Sequence, residues 1–338
     1  MKFIHFLLCN LIILFYLFRK PFYDFILPPV STQSEINQII ANEALLETTH
    51  LIQLYGYSAE NHIVVTDDGY EITLHRIPRG KTNKNQTRIP IYLQHGAWVC
   101  SSTNNKWLQV FYLRMRDMMF GWVILEITHI LKLSDNDTKD EIIGWNKLIV
   151  YEVPTIVDYI RNVTGFNQIL AIGHSMGTTA MFGSLSINKK LNNIVMYFQD
   201  IKGFVALAPV SNAKYSSSVI FSGFGLVLQK FPSLFKLLYK DYNFPVKDFF
   251  LRLCPAIGKP AMCKQLVDLS IGFNPSSFNK TRFPIYIMHC FDSFPDQFFF
   301  HWVQAGLKNK MVGYDYGKEK NIENYNQYSI VNSPQFNC

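Results

Sequence analysis

The stretch that most constrains this chain runs from Gln168 to Thr179 and reads QILAIGHSMGTT. An apolar run leads into Gly173-His174-Ser175-Met176-Gly177, and a helix-compatible segment follows. This G-x-S-x-G pattern is typical of a nucleophile elbow, a sharp strand-to-helix turn that lifts a serine hydroxyl clear of the backbone. We therefore predict that Ser175 is a nucleophile and that the N–H of Met176 stabilises an oxyanion. The alternative is a chance pentapeptide, which the strand-like and helix-like flanks disfavour.

A second part of the predicted site follows the strand candidate Ile89–Gln94 (IPIYLQ), which runs into His95-Gly96-Ala97. In hydrolases with a nucleophile elbow, a loop at this place supplies the second oxyanion N–H. We assign that role to the backbone N–H of Ala97. The alternative is an ordinary turn at a strand exit. We interpret His95 and His174 as packing or pocket-lining residues.

The order of the other elements predicts an α/β fold. Residues 62–77, HIVVTDDGYEITLHRI, place an Asp-Asp-Gly turn between two β-rich runs and predict a hairpin. Strands are also predicted at 121–127 and 201–208, helices at 111–119 and 152–163, and irregular structure at 129–147. Because strands alternate with helices, we expect a parallel sheet with its site at the carboxyl ends of the strands.

The N-terminus predicts entry into the secretory pathway. Lys2 precedes an apolar run, residues 3–18, which ends at Arg19-Lys20. This pattern is typical of a signal peptide over residues 1–20, and a retained signal anchor stays open because no clear cleavage site follows. The four N-glycosylation sequons that agree with secretion begin at Asn85, Asn136, Asn162 and Asn279.

Composition narrows the function classes. A hydrophobic content of 49% with 17% charged residues predicts a globular protein. The net charge of +7 is scattered, so we expect no nucleic-acid partner. Cys254 and Cys263 are close enough in sequence to close a small disulfide in an oxidising compartment. No metal-binding spacing is present in the sequence, and we predict no metal and no cofactor.

Residues 211–280 differ in composition from the rest of the chain. They have few β-rich runs and many aromatic and leucine residues, interrupted by proline and glycine. One interpretation is a helical subdomain with its own core. The other is a cap over Ser175 that shapes an apolar pocket, and the two interpretations are compatible.

Several segments together resemble the acid lipase family of α/β-hydrolases, the gastric and lysosomal lipase group. They include LQHG at 93–96, VPTIVDYIRNVTG at 153–165, IGHSMGTT at 172–179 and YDYGKEKNIENYNQ at 314–327. The resemblance implies a mostly parallel sheet with helices on both faces and a helical cap insertion. It also implies a serine lipase acting on acylglycerols or steryl esters, and a Cys254–Cys263 disulfide.

In that family the triad Asp and His lie well beyond the YDYG segment, and this chain ends at Cys338. We therefore expect a chain shortened at its C-terminus, without the last strands or the triad Asp and His. Asp292, Asp296 and His301 form a tempting substitute in the correct order. We discount it, because the flanking residues match the family's cap and the spacing leaves little chain to align the two groups.

The resulting hypothesis is a lipase in lipid metabolism, and the alternative is a lipid-binding protein that has lost the triad. The expected partner is a lipid ester. Contact with a membrane or lipid-droplet surface stays open, as does the oligomeric state. The predicted domains are the signal segment at 1–20, the core at 35–210, the cap at 211–310 and a return segment at 311–338.

Overall fold

The structure is a computed structural model. It describes residues 46–78, 89–97, 122–127, 144–187, 201–211 and 296–325. The chain divides into two compact units, one formed by Met1–Leu45 with Tyr215–Asp296 and the other by Leu46–Lys214 with Gln297–Cys338. Apart from Asp296, every described residue belongs to the second unit. The domain boundaries given above stay a prediction.

Six strands in the described residues form one sheet in the order β1-β2-β4-β3-β5-β6. The strands are β1 Glu60–Val65, β2 Glu71–Ile77, β3 Pro90–Gln94, β4 Trp122–Ile127, β5 Ile169–His174 and β6 Ile201–Leu207. The helices are α1 Thr48–Leu54, α2 Trp145–Lys147, α3 Val153–Thr164, α4 Met176–Ile187, α5 Asp296–Lys308 and α6 Lys318–Tyr325. Strands β3, β4, β5 and β6 pair in parallel, whereas β1 and β2 are antiparallel to their neighbours. The predicted α/β class is confirmed.

The hairpin between β1 and β2 turns at Asp67-Asp68-Gly69, where the sequence predicts it. Gly69 has a φ of 88°, and the hydroxyl of Thr66 donates to the Asp68 carboxylate at 2.6 Å. Asp68 also forms an ion pair with Lys147 of α2, at 3.2 Å between Oδ2 and Nζ. The turn is therefore fastened to the helical segment before α3.

The core lies between the sheet and the helices packed on it. All five residues of β3 are buried, as expected for a central parallel strand. In α3 the buried residues Val153, Ile156, Val157 and Ile160 recur at helical spacing. A separate hydrophobic cluster joins Ile52 of α1 to residues of the sheet, namely Ile77, Ile91, Leu93 and Ile172.

The segment before α3 differs in part from prediction. The sequence predicts irregular structure at 129–147, of which residues 129–143 lie outside the described residues. Trp145–Lys147 is helical instead and continues through a π-helical turn, Leu148–Glu152, into α3. Trp145 and Ile149 are buried, so packing on the core overrides weak local propensity there. The helix predicted at 111–119 lies outside the described residues. Within the described ranges, no helix is both long and apolar enough to cross a bilayer.

Candidate active site

Ser175 lies at the turn that joins β5 to α4. Its φ of 51° falls in the left-handed region, which residues other than glycine seldom adopt. The Ser175 N–H donates to the carbonyl oxygen of Leu207 on β6 at 2.9 Å, and the Ser175 carbonyl accepts from the N–H of Thr178 at 2.9 Å. The strand–turn–helix context that the G-x-S-x-G pattern requires is therefore present, with the strained residue held on both sides.

Glycines on either side of Ser175 let three backbone segments approach closely. A Cβ at Gly177 would lie 2.6 Å from the carbonyl oxygens of both Gln94 and His95. A Cβ at Gly173 would lie 2.9 Å from the carbonyl of Gly177. Both distances are shorter than any real Cβ contact, so these positions exclude larger residues. The first turn of α4 consequently packs directly on the end of β3.

The loop after β3 lies against the same turn. Gln94 pairs with Gly173 in the parallel register of β3 and β5. A Cβ at Gly96 would lie 3.0 Å from both the Cβ of Ser175 and the Nδ1 of His174. The predicted oxyanion donors therefore belong to neighbouring segments: Met176 follows Ser175 at the start of α4, and Ala97 follows Gly96.

The two histidines near the turn have separate surroundings. His95 is buried, and its Nδ1 donates to the carbonyl oxygen of Gly96 at 2.7 Å, which braces the loop from within. Burial lowers the pKa of His174, so its ring is neutral near neutral pH. No hydrogen bond reaches the Ser175 hydroxyl from the residues that the structure describes.

Known proteins match this chain over most of its length. The family model described as the partial alpha/beta-hydrolase lipase region matches residues 48–107. Gastric triacylglycerol lipase of Mus musculus is 30% identical over 305 residues, which cover 84% of this chain and 74% of that protein. The chain belongs to the acid lipase family. The human gastric triacylglycerol lipase is 29% identical over 314 residues, covering 87% of this chain and 75% of that protein.

The strand order agrees with the α/β-hydrolase fold of this acid lipase family. A solved epoxide hydrolase from Vigna radiata superposes with a TM-score of 0.41 at 10% identity, covering 74% of each chain.

A buried chain of polar side chains, which the sequence analysis did not predict, runs from β3 to the start of α3. Tyr92 donates its hydroxyl proton to Oε1 of Gln94, and Nε2 of Gln94 donates to the Glu152 carboxylate at 3.3 Å. All three side chains are buried. The sequence does indicate that Glu152 is buried. It precedes Ile156 and Ile160 at four-residue spacing and so falls on the buried face of α3.

His301 of α5 is fully buried in an aromatic cluster. Its ring stacks on Trp145 with centroids 3.6 Å apart and meets the edge of Tyr314 at 5.4 Å. Nε2 donates to the carbonyl oxygen of Val312 at 2.7 Å, and burial lowers the His301 pKa to about 3. Among the described residues Nδ1 has no hydrogen-bond partner. None of these contacts is with a carboxylate or with a serine hydroxyl, and a catalytic base in a triad contacts both.

The remaining predicted site residues stay predictions. Asn162 is exposed near the end of α3. The others lie outside the described residues, namely Asn85, Asn136, Asn279, Asp292, Cys254 and Cys263. Within the part of the chain that the structure describes, no group of three His, Cys, Asp or Glu side chains could hold a metal ion.

Proposed function

We propose that this protein is a serine ester hydrolase that cleaves lipid esters, with Ser175 as its nucleophile. The observation that carries the proposal is the strained backbone of Ser175, whose φ is 51° at a strand-to-helix turn with Gly96 pressed against it. A left-handed serine held by its surroundings is expected where strain serves a reactive group. Membership in the acid lipase family supports the same chemistry.

In the proposed mechanism, Oγ of Ser175 forms a bond to the ester carbonyl carbon while its proton passes to a general base. The carbonyl oxygen becomes an oxyanion that accepts hydrogen bonds from the N–H groups of Met176 and Ala97. Collapse of this intermediate expels the alcohol, which takes up the proton, and leaves an acyl-enzyme that water hydrolyses. The base is an imidazole in this type of triad, and the described residues do not supply it.

For the substrate we propose acylglycerols or steryl esters. Support comes from relatives named gastric triacylglycerol lipase in mouse and human, and from the aromatic and leucine-rich region at 211–280, which suits a cover over an apolar substrate. No finding supports the alternative of a lipid-binding protein without catalysis.

We propose a secretory-pathway location from the apolar N-terminal run and the four sequons. Asn162 supplies a direct check, because it is exposed on α3. In protein secreted from eukaryotic cells, Asn162→Gln should remove one glycosidase-sensitive mass increment. An unchanged mass would contradict glycosylation at this residue.

The proposed function is tested by comparing the full chain with its Ser175→Ala variant. Both are assayed on a short-chain nitrophenyl ester, a triacylglycerol emulsion and a cholesteryl ester emulsion. We expect hydrolysis by the wild type that falls on the order of 1,000-fold or more in the variant. The emulsion hydrolysed faster identifies the substrate class. Equal background rates from two folded proteins would overturn catalysis and favour lipid binding.

A further inference from the structure

The carbonyl group of Ser175 is held more tightly than an ordinary helix start requires. It accepts the Thr178 N–H at 2.9 Å and the Thr178 hydroxyl at 2.6 Å. One residue therefore donates twice to the same oxygen. Thr178 itself is fully buried, which favours both hydrogen bonds over contacts with water.

The direction of the hydroxyl bond follows from its other partner. The N–H of Val210 lies 2.8 Å from Oγ of Thr178, and an N–H can only donate. The Thr178 hydroxyl thus accepts from Val210 and must give its own single proton to the Ser175 carbonyl. The segment leaving β6 is in this way bonded, through one hydroxyl, to the strained turn.

The carbonyl that Thr178 holds shares a peptide unit with the N–H of Met176. A peptide unit is planar and trans, so fixing the orientation of the oxygen fixes that of the N–H on the opposite side. Hydrogen bonds accepted by the carbonyl also polarise the amide and strengthen its N–H as a donor. The Met176 N–H is one of the two oxyanion donors of the proposed function.

We propose that Thr178 is a positioning residue that orients the Met176 N–H toward the oxyanion through the Ser175 carbonyl. This inference rests on the proposed ester hydrolase function and deepens it. Rotation of the Ser175–Met176 peptide would turn the donor away from the oxyanion without removing any group that touches the substrate. The expected loss is therefore one of transition-state stabilisation and not of substrate binding.

The neighbouring threonine provides a matched control. Thr179 donates its hydroxyl proton to the carbonyl oxygen of Val210 at 2.6 Å, so it fastens the same segment without touching Ser175. Thr178→Val and Thr179→Val each remove one hydroxyl while keeping a β-branched side chain of similar volume. Thr178→Ser keeps the hydroxyl and removes only a methyl group.

The experiment measures kcat and KM on a nitrophenyl ester, with inhibition by a trifluoromethyl ketone that forms a tetrahedral oxyanion. For Thr178→Val we expect kcat to fall on the order of 10- to 100-fold with KM within about twofold, and the inhibition constant to rise by a similar factor. Thr178→Ser should recover most of kcat. Thr179→Val should keep kcat and the inhibition constant within about threefold, whatever its loss of stability.

Two results would overturn the positioning role: kcat retained in Thr178→Val, or an equal fall in Thr179→Val. If Thr178→Val does not fold, Thr178→Ala is compared with Thr178→Ser in the same way.

A wild type no faster than Ser175→Ala would instead overturn the proposed function. In that case, hydrogen exchange tests whether the Thr178 hydroxyl holds the Val210 amide. Exchange of this amide should be faster in Thr178→Val, and an unchanged exchange rate would refute the hydrogen bond.

Discussion

The turn at Ser175 and the aromatic cluster around His301 are both tightly packed and both contain polar groups under steric constraint. At the turn, the constraint falls on the backbone, and the φ of Ser175 is 51°. In the cluster it falls on side chains, since His301 stacks on Trp145 and is fully buried. Backbone strain at an elbow that presents a hydroxyl suits a reactive group. Burial that keeps an imidazole neutral and enclosed suits a structural one.

The difference also shows in what each region excludes. At the turn, a Cβ on Gly177 would meet backbone carbonyl oxygens. In the cluster, a Cβ on Gly144 would meet side-chain atoms, Oδ1 of Asn146 at 2.6 Å and Nδ1 of His301 at 2.9 Å. Backbone of a central strand cannot yield without disturbing the sheet, whereas side chains can shift. The turn is therefore the more rigid of the two regions.

The largest expected contrast is in activity. Ser175→Ala should lower kcat/KM on the order of 1,000-fold or more, whereas His301→Phe should leave it within about threefold. The phenyl ring keeps the stack on Trp145 but leaves the Val312 carbonyl unpaired, at a cost of about 1–3 kcal/mol in unfolding free energy. Ester hydrolysis and thermal unfolding measure both effects. Loss of activity in folded His301→Phe would make His301 a candidate base and remove the contrast.

The next effect is the acid dependence of stability that His301 imposes. Its pKa is lowered from 6.5 to about 3 by burial, so the folded protein keeps the ring neutral while the unfolded chain takes up a proton as the pH falls. The His301 contribution to stability should be complete above pH 6.5 and decline toward pH 3. Between these pH values the unfolding free energy should fall by up to about 1.4 kcal/mol for each pH unit of acidification. Urea unfolding across this range measures it, and His301→Phe, which cannot titrate, should show a shallower slope. Equal slopes in the two proteins would contradict a neutral buried ring.

The smallest effect compares the two excluded Cβ positions. Gly177→Ala should destabilise the protein by roughly 1–3 kcal/mol and lower kcat on the order of 100-fold, because the displaced backbone carries Ser175. Gly144→Ala should also destabilise it, but with kcat within about threefold. Denaturant unfolding measures the loss of stability in both variants, and ester hydrolysis measures their kcat. Equal falls in kcat would mean that the cluster, too, positions the reacting groups.

Much of the sheet and the turn could be predicted because their signals are local. Asp67-Asp68-Gly69 predicts a hairpin, and the structure has the turn there. The alternation of apolar runs with helical spacing predicts β3 and α3 with bounds within one residue of those in the structure. The helical start at Trp145 was not predicted, since its helical state depends on burial against distant residues and not on the propensity of its neighbours.

In the candidate site, too, some features follow from local sequence and others depend on contacts between distant residues. Residue types and spacing determined the strand, the turn, the two glycines and the position of Ser175, because a sharp turn between a strand and a helix leaves few residues to choose from. Three features came from contacts between distant parts of the chain. The Gln94–Glu152 bond spans 58 residues, the Thr178–Val210 bond spans 32, and His301 pairs with Val312 eleven residues away. A hydrogen-bond partner at such separation is chosen by the packing of the whole fold, which no local pattern encodes.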